Sequence, residues 1–198
     1  MQAYATPDAV TQTHRLFFAV WLDAHAASAA NGLQQQLRSE LGLTGRPLSM
    51  DRLHVTLHWL QDHPGLPPDL VADAMTAGDH AETEPFDVLF DRVESLGDVN
   101  HGGPLALTGA VGLASLRRFQ RVLAAAMTDA GIGQYVRSSF KPHVTLLYDD
   151  RYVPRRTVPA VCWTVRELVL VESLVGKSQH IALGRWPLQS RQMGFGDW

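Results

Sequence analysis

A single cysteine, Cys162, rules out an internal disulfide and a cysteine-based metal cluster. That suits a reducing compartment, and a cytoplasmic protein is expected. No apolar run is long enough for a membrane-spanning helix. The first 13 residues, MQAYATPDAVTQT, are polar, lack the apolar core of a secretory leader, and read as a flexible tail. Positive charge is not in excess: 17 Lys and Arg against 20 Asp and Glu leave a net charge of −3. No broad basic surface follows, which argues against tight, sequence-indifferent duplex binding and leaves room for a local site. Low-complexity segments and short-period repeats are also missing. What remains is 198 residues, 45% hydrophobic and 19% charged, enough for one globular domain over residues 14–198.

Against these absences stands a tetrapeptide that occurs twice, His54-Val55-Thr56-Leu57 and His143-Val144-Thr145-Leu146. Each copy lies in an apolar run that reads as a strand. Residues i and i+2 of a strand share a face. Each copy therefore offers an imidazole beside a hydroxyl, with Val and Leu turned the other way into packing.

The elements around the copies are similar. His14–Leu22 reads as a strand, and Asp23 as the cap of a helix running to about Leu41, stopped by Gly42. Arg52–Leu60 is the first motif strand. A short helix over Asp69–Ala77 follows, then strands at Phe86–Leu96 and Pro104–Val111 across a Gly-rich turn. Ser115–Ala130 has the periodicity of an amphipathic helix, Ser138–Tyr148 is the second motif strand, and Thr164–Leu174 and His180–Leu188 complete the strand set. This order predicts an α+β domain of two lobes related by a rough internal two-fold.

Two histidines and two threonines around one small anion suit acid–base chemistry at a phosphate. One imidazole can take a proton from the attacking oxygen while the other protonates the leaving oxygen. The hydroxyls can donate to non-bridging phosphate oxygens as charge builds there. No metal or other cofactor is needed for a strained cyclic phosphate or an internal 2′-hydroxyl. A lone motif would be weak evidence, since Thr and Val are ordinary strand formers. Packing accounts for the repeated Val and Leu but not for His and Thr recurring on the face where polar groups need partners.

The paired motifs resemble those of the 2H phosphoesterase superfamily, most closely its bacterial and archaeal branch of 2′-5′ RNA ligases and RNA 2′,3′-cyclic phosphodiesterases. Arg15–Val20 resembles that family's first strand, Arg52–Leu60 its first motif, Phe140–Leu146 its second, and Leu170–Leu188 its closing strands. The resemblance implies a bilobal fold, with two antiparallel sheets facing a central groove and helices outside. It implies that His54 is the proton donor, His143 the proton acceptor, and Thr56 and Thr145 the phosphate ligands. The implied reaction opens a 2′,3′-cyclic phosphate at an RNA 3′ end or on a nucleotide to a 2′-phosphomonoester. Run backward on a 5′-hydroxyl, the same groups would make a 2′-5′ linkage. Another small cyclic phosphate or a 2′-5′ oligonucleotide is an alternative substrate, and a non-catalytic RNA-end binding module is the alternative of a different class. A monomer with no obligate protein partner and no membrane association is expected.

Some relatives carry an Arg shortly after the second Thr. This chain has Leu147-Tyr148 there. Tyr148 is a candidate to stack on a base or donate its hydroxyl, and Lys141, Arg52 and Arg151 are candidates for the missing cation. Phe140 is a further candidate for lining a base pocket. On an ideal strand His58 shares the face of His54 and Thr56, where it reads as a rim residue of the groove rather than a metal ligand. Asp149-Asp150 reads as a solvated turn rather than a Mg²⁺ site. His180 and the remaining histidines fall in loops or element ends with no argued role.

Overall fold

A computed structural model describes residues 12–189. The chain runs β1 (His14–Trp21), α1 (Ala24–Leu41), a 3₁₀ turn (Met50–Arg52), β2 (His54–His63), α2 (Pro68–His80), β3 (Phe86–Ser95), β4 (Gly103–Thr108) and α3 (Ala114–Asp129). A second 3₁₀ turn (Gly133–Tyr135) precedes β5 (Val144–Asp149), β6 (Arg156–Val165), β7 (Glu167–Leu174) and β8 (Gln179–Pro187). The strands form two antiparallel four-stranded sheets, ordered β2-β1-β7-β8 and β5-β4-β3-β6. The fold is thus α+β, as the element order predicted.

The internal two-fold is visible in the connections. In each sheet the motif strand lies at the edge, beside the strand that precedes it across one helix: β1-α1-β2 in one lobe and β4-α3-β5 in the other. The two edge strands, β2 and β5, meet where the lobes join. The segment after α1 ties them further, since Leu48 N donates to Leu146 O (2.8 Å) and Pro47 bridges Leu147 on the free edge of β5. Gly45 lies so close to this edge that a Cβ there would come within 2.0 Å of Tyr148 O, so no other residue fits without moving the strand.

One face of each sheet packs against the helices. Leu16, Phe18 and Val20 of β1, Val55 of β2, Val144 of β5 and Leu168 of β7 share one buried cluster with Ala30 and Leu37 of α1, Ala74 of α2, and Phe119 and Leu123 of α3. Alternation along β1 sends Phe17 and Ala19 the other way, where with Val169 and Val171 of β7 they form a second, smaller apolar patch, bordered by Trp21. This patch floors the first lobe on the face away from the helices.

Several boundaries differ from the sequence reading. The motif strands start later than expected: Arg52 belongs to the 3₁₀ turn, and residues 138–143 precede β5 as irregular chain, so His143 sits just ahead of its strand. The apolar stretch Thr164–Leu174 is not one strand. It breaks at Arg166, ending β6 and starting β7, and the run from Arg156 to Trp163 is a strand that the alternation did not reveal. Pro104–Val111 ends early, at Thr108. Asp23 caps α1 through its carboxylate (Ala26 N, 2.8 Å), and Gly42 ends it in the left-handed conformation, as expected. Of the expected tail, residues 1–11 lie outside the described residues, while Thr13 O accepts from Val175 N at 3.0 Å.

Candidate active site

Both motif strands carry a β-bulge at the same place in the repeat. In the first, Ala19 pairs with Thr56 and Phe18 with His58, leaving Leu57 as the extra residue. In the second, Ala106 pairs with Thr145 and Leu105 with Leu147, leaving Leu146 as the extra residue. A bulge switches the faces beyond it. His54 and Thr56 therefore share the open face with each other but not with His58. His58 is buried, and its Nε2 lies 3.0 Å from the backbone oxygen of Gln120 in α3. The expectation of His58 at the groove rim is thereby corrected, and it cannot join His54 at a metal. Beyond each bulge the open face continues with an exposed aromatic ring, Trp59 in one lobe and Tyr148 in the other.

The two imidazoles are held by the same device. Nδ1–H of His54 donates to Arg52 O at 2.7 Å, and Nδ1–H of His143 donates to Lys141 O at 2.8 Å. In each case the acceptor is the carbonyl two residues back. That bond fixes the tautomer and leaves Nε2 as the nitrogen without a hydrogen-bond partner among the described residues. Both rings are partly exposed.

Their surroundings differ. His54 stacks on Phe17 (ring centroids 5.1 Å apart, 21° between planes), lies 5.3 Å from Trp21, and meets the ring of His180 edge-on at 5.3 Å. Trp21 is itself held by an indole bond to Asp51 O (2.9 Å). Burial in this aromatic box lowers the pKa of His54 to about 4. The bond to Arg52 O opposes the shift, and the positive charges of His180, His143 and Arg52 add to it. His180, from β8, is likewise lowered to about 4, by burial first and then by the charge of Arg52, against the opposing charge of Asp51. Sequence reasoning missed His180 because β8 is brought beside the first motif only by the sheet order.

The other candidates separate. Arg52 stays near the site, its charge bearing on both His54 and His180. Lys141 is exposed and reaches Glu94 at 3.4 Å. Tyr148, 62% exposed, stands near Arg15, which is locked in a two-point bond to Asp62 (2.7 and 2.8 Å). Arg151 is drawn toward α1, where its guanidinium donates through Nη1 to Leu41 O at the helix end. The side chain of Phe140 is half-buried and packs against the main core. Asp149 is no solvated turn residue. It is buried and accepts from Thr44 N, Gly45 N (both 2.7 Å) and Arg151 N (2.9 Å). Burial works against its charge, but the three N–H donors outweigh it and hold the carboxyl below its usual range. Among the described residues, no three His, Cys, Asp or Glu side chains are grouped to hold a metal.

Two four-stranded sheets joined along edge strands that each begin at a His-x-Thr segment define the 2H phosphoesterase class. Residues 35–177 match the 2′-5′ RNA ligase superfamily, and the chain belongs to that family. Among solved structures, LigT of E. coli in its apo form is similar at 23% identity, covering 90% of this chain and 99% of its own, with a TM-score of 0.69. TT0787 of Thermus thermophilus is similar at 22% identity, over 89% of this chain and 99% of its own, with a TM-score of 0.70. LigT complexed with 3′-AMP matches at 23% identity over 90% and 99%, with a TM-score of 0.67. No curated protein matches the sequence.

Proposed function

We propose that the protein hydrolyses 2′,3′-cyclic phosphates at RNA or nucleotide ends to 2′-phosphomonoesters, with His54 and His143 as the acid–base pair. The observation that carries this reading is the shared carbonyl clamp, which leaves Nε2 free on both imidazoles. In the proposed step His143 takes a proton from water as its oxygen attacks phosphorus. The bond from phosphorus to the 3′-oxygen breaks, and His54 delivers a proton to that oxygen. Thr56 and Thr145 donate to the non-bridging oxygens, where charge accumulates. Arg52 or Lys141 supplies the cation, and Tyr148 offers a ring for the base.

The aromatic box sets a condition on this division of labour. With a pKa of about 4, His54 is neutral in the free protein at neutral pH. To act as the acid it takes up its proton together with the anionic phosphate, whose charge beside the ring favours the imidazolium. Substrate binding near pH 7 is therefore accompanied by proton uptake. LigT complexed with 3′-AMP supports the choice of nucleotide-sized ligands, and a cytoplasmic setting fits such a substrate.

The test is a panel of 2′,3′-cyclic mononucleotides and short RNAs bearing a cyclic phosphate, incubated in EDTA, with products assigned as 2′- or 3′-phosphate. Metal-independent release of the 2′-phosphate is expected. Release of the 3′-phosphate, or no turnover, contradicts the reading. Thr56→Val and Thr145→Val keep the shape and remove the hydroxyl. Each is expected to lower kcat by about 10²-fold with little change in thermal stability.

A further inference from the structure

The second sheet carries charge on the face where the first carries aromatic rings. On β3, Val93 faces the core and Glu94 the open side, and Arg92 pairs across the sheet with Thr157 of β6. Glu94 is 9% exposed and bracketed by cations: Lys141 at 3.4 Å on one side and the Arg155 guanidinium at 3.0 Å on the other, with the Thr108 hydroxyl at 2.9 Å. Burial opposes its charge, and these partners overcome it to hold the carboxyl below its usual range. Beyond Arg155 lies a cavity of about 290 Å³ lined by Arg92, Arg155, Arg156 and Thr157.

The donors of this cavity are only partly used. Arg155 bonds Glu94 through Nε and Nη2, which leaves Nη1 unengaged among the described residues. Among the described residues Arg92 has a single long contact, to Asp91 at 3.9 Å through Nε. Arg156 reaches Glu40 at 3.5 Å. Free guanidinium donors beside a hydroxyl suit a phosphate group, which accepts paired N–H bonds.

Strand spacing gives the distance from the motif. β3 is two strands from β5 and β6 is three, and Arg92 and Thr157 lie two residues along from Glu94, which is in register with Thr145 through Ala106; at about 4.8 Å per strand and about 3.4 Å per residue the cavity lies roughly 12–16 Å from Thr145. That is too far for the reacting phosphate. Yet the cavity follows from the motif without interruption, through Lys141, Glu94 and Arg155. Two anion sites at fixed separation on one sheet face match the repeating phosphates of a single nucleic-acid strand.

We propose that the cleft of Arg92, Arg155 and Thr157 is a second phosphate subsite, which takes an upstream backbone phosphate of an RNA whose 3′-terminal cyclic phosphate sits between the motifs. The preferred substrate is then an oligonucleotide end rather than a free cyclic nucleotide. This rests on the phosphodiesterase reading above and names its substrate class.

The test compares a cyclic mononucleotide with a trinucleotide ending in 2′,3′-cyclic phosphate, in the wild-type protein, Arg92→Gln and Thr157→Val. Arg155→Lys is the variant at the third position, because it keeps a cation beside Glu94. The wild type is expected to favour the trinucleotide in kcat/KM by about ten-fold, with a steeper salt dependence. Arg92→Gln is expected to erase most of that preference and flatten the salt slope by about one, leaving the mononucleotide within two-fold. No length preference, or equal losses on both substrates, overturns the subsite. If neither substrate turns over, the reaction reading fails by itself. Fluorescence anisotropy with a 2′-phosphorylated trinucleotide then decides the subsite: length-dependent binding lost in Arg92→Gln upholds it, and binding unchanged by the substitution overturns it.

Discussion

His143→Ala and His54→Ala are each expected to lower kcat/KM on a 2′,3′-cyclic nucleotide by about 10³-fold or more, within the range attributed to a positioned general acid or base. The double variant should be little worse than either single one, because a proton given and a proton taken belong to one step. The two substitutions differ in their side effects. His143 is held mainly by its bond to Lys141 O, so its loss should leave stability nearly unchanged. His54 covers Phe17 and adjoins Trp21 and His180, so His54→Ala also opens a space in the aromatic box. His54→Asn, which fills part of that space, separates the two effects: activity stays lost while stability recovers. Steady-state kinetics in EDTA, together with thermal melts of each variant, check this. Substantial turnover in either alanine variant ends the two-histidine mechanism.

The protein should lose stability as pH falls from about 6.5 to about 4. His54 and His180 both titrate near 4 in the folded protein, against an ordinary value of 6.5. Between those values the unfolded chain binds protons that the folded chain excludes, so acid favours unfolding. The stabilisation is complete above 6.5 and lost as pH drops to the folded value. For His54 the shift corresponds to about 3 kcal/mol, at 1.36 kcal/mol per unit. His180 acts in the same direction, with a smaller share because it is less enclosed and its charge is coupled to that of His54. His58, lowered by its burial against α3, acts the same way. Glu94, Asp149 and Asp62 are held below their usual carboxylate values, so their contributions are lost only at more acidic pH. Urea unfolding at pH 7.5 and pH 4.5 measures the histidine window. A drop of a few kcal/mol that shrinks in His54→Phe is expected, and equal stability at the two pH values contradicts it.

Much of the site was legible because it is local. A carbonyl two residues back, an imidazole and a hydroxyl two residues on all lie within one short segment, and the segment occurs twice. The helix ends were legible for the same reason, Asp23 and Gly42 being signals in their own positions. The bulges were harder to read. In the second motif the adjacent buried pair Leu146-Leu147 breaks strict alternation and could have revealed the extra residue. In the first, the polar side chain of His58 disguises the same break, so the residue was placed on the wrong face. The split at Arg166 was hidden because no glycine or proline marks it, and the β-prone residues Val165 and Leu168–Val171 lie on either side of it. His180, Arg92 and Arg155 carried no sequence signal at all. Their positions follow from strand order and cross-strand register, which only the folded chain supplies. Nearness in sequence did not show that Arg151 also reaches the end of α1 or that Phe140 packs, half-buried, against the core.

If both imidazoles serve one phosphate, a crystal structure with adenosine 2′-phosphate bound will show it. Nε2 of His54 and Nε2 of His143 are each expected within about 3 Å of an oxygen of the same phosphate, flanked by the hydroxyls of Thr56 and Thr145. A phosphate held by one motif alone, or seated away from both, would contradict it.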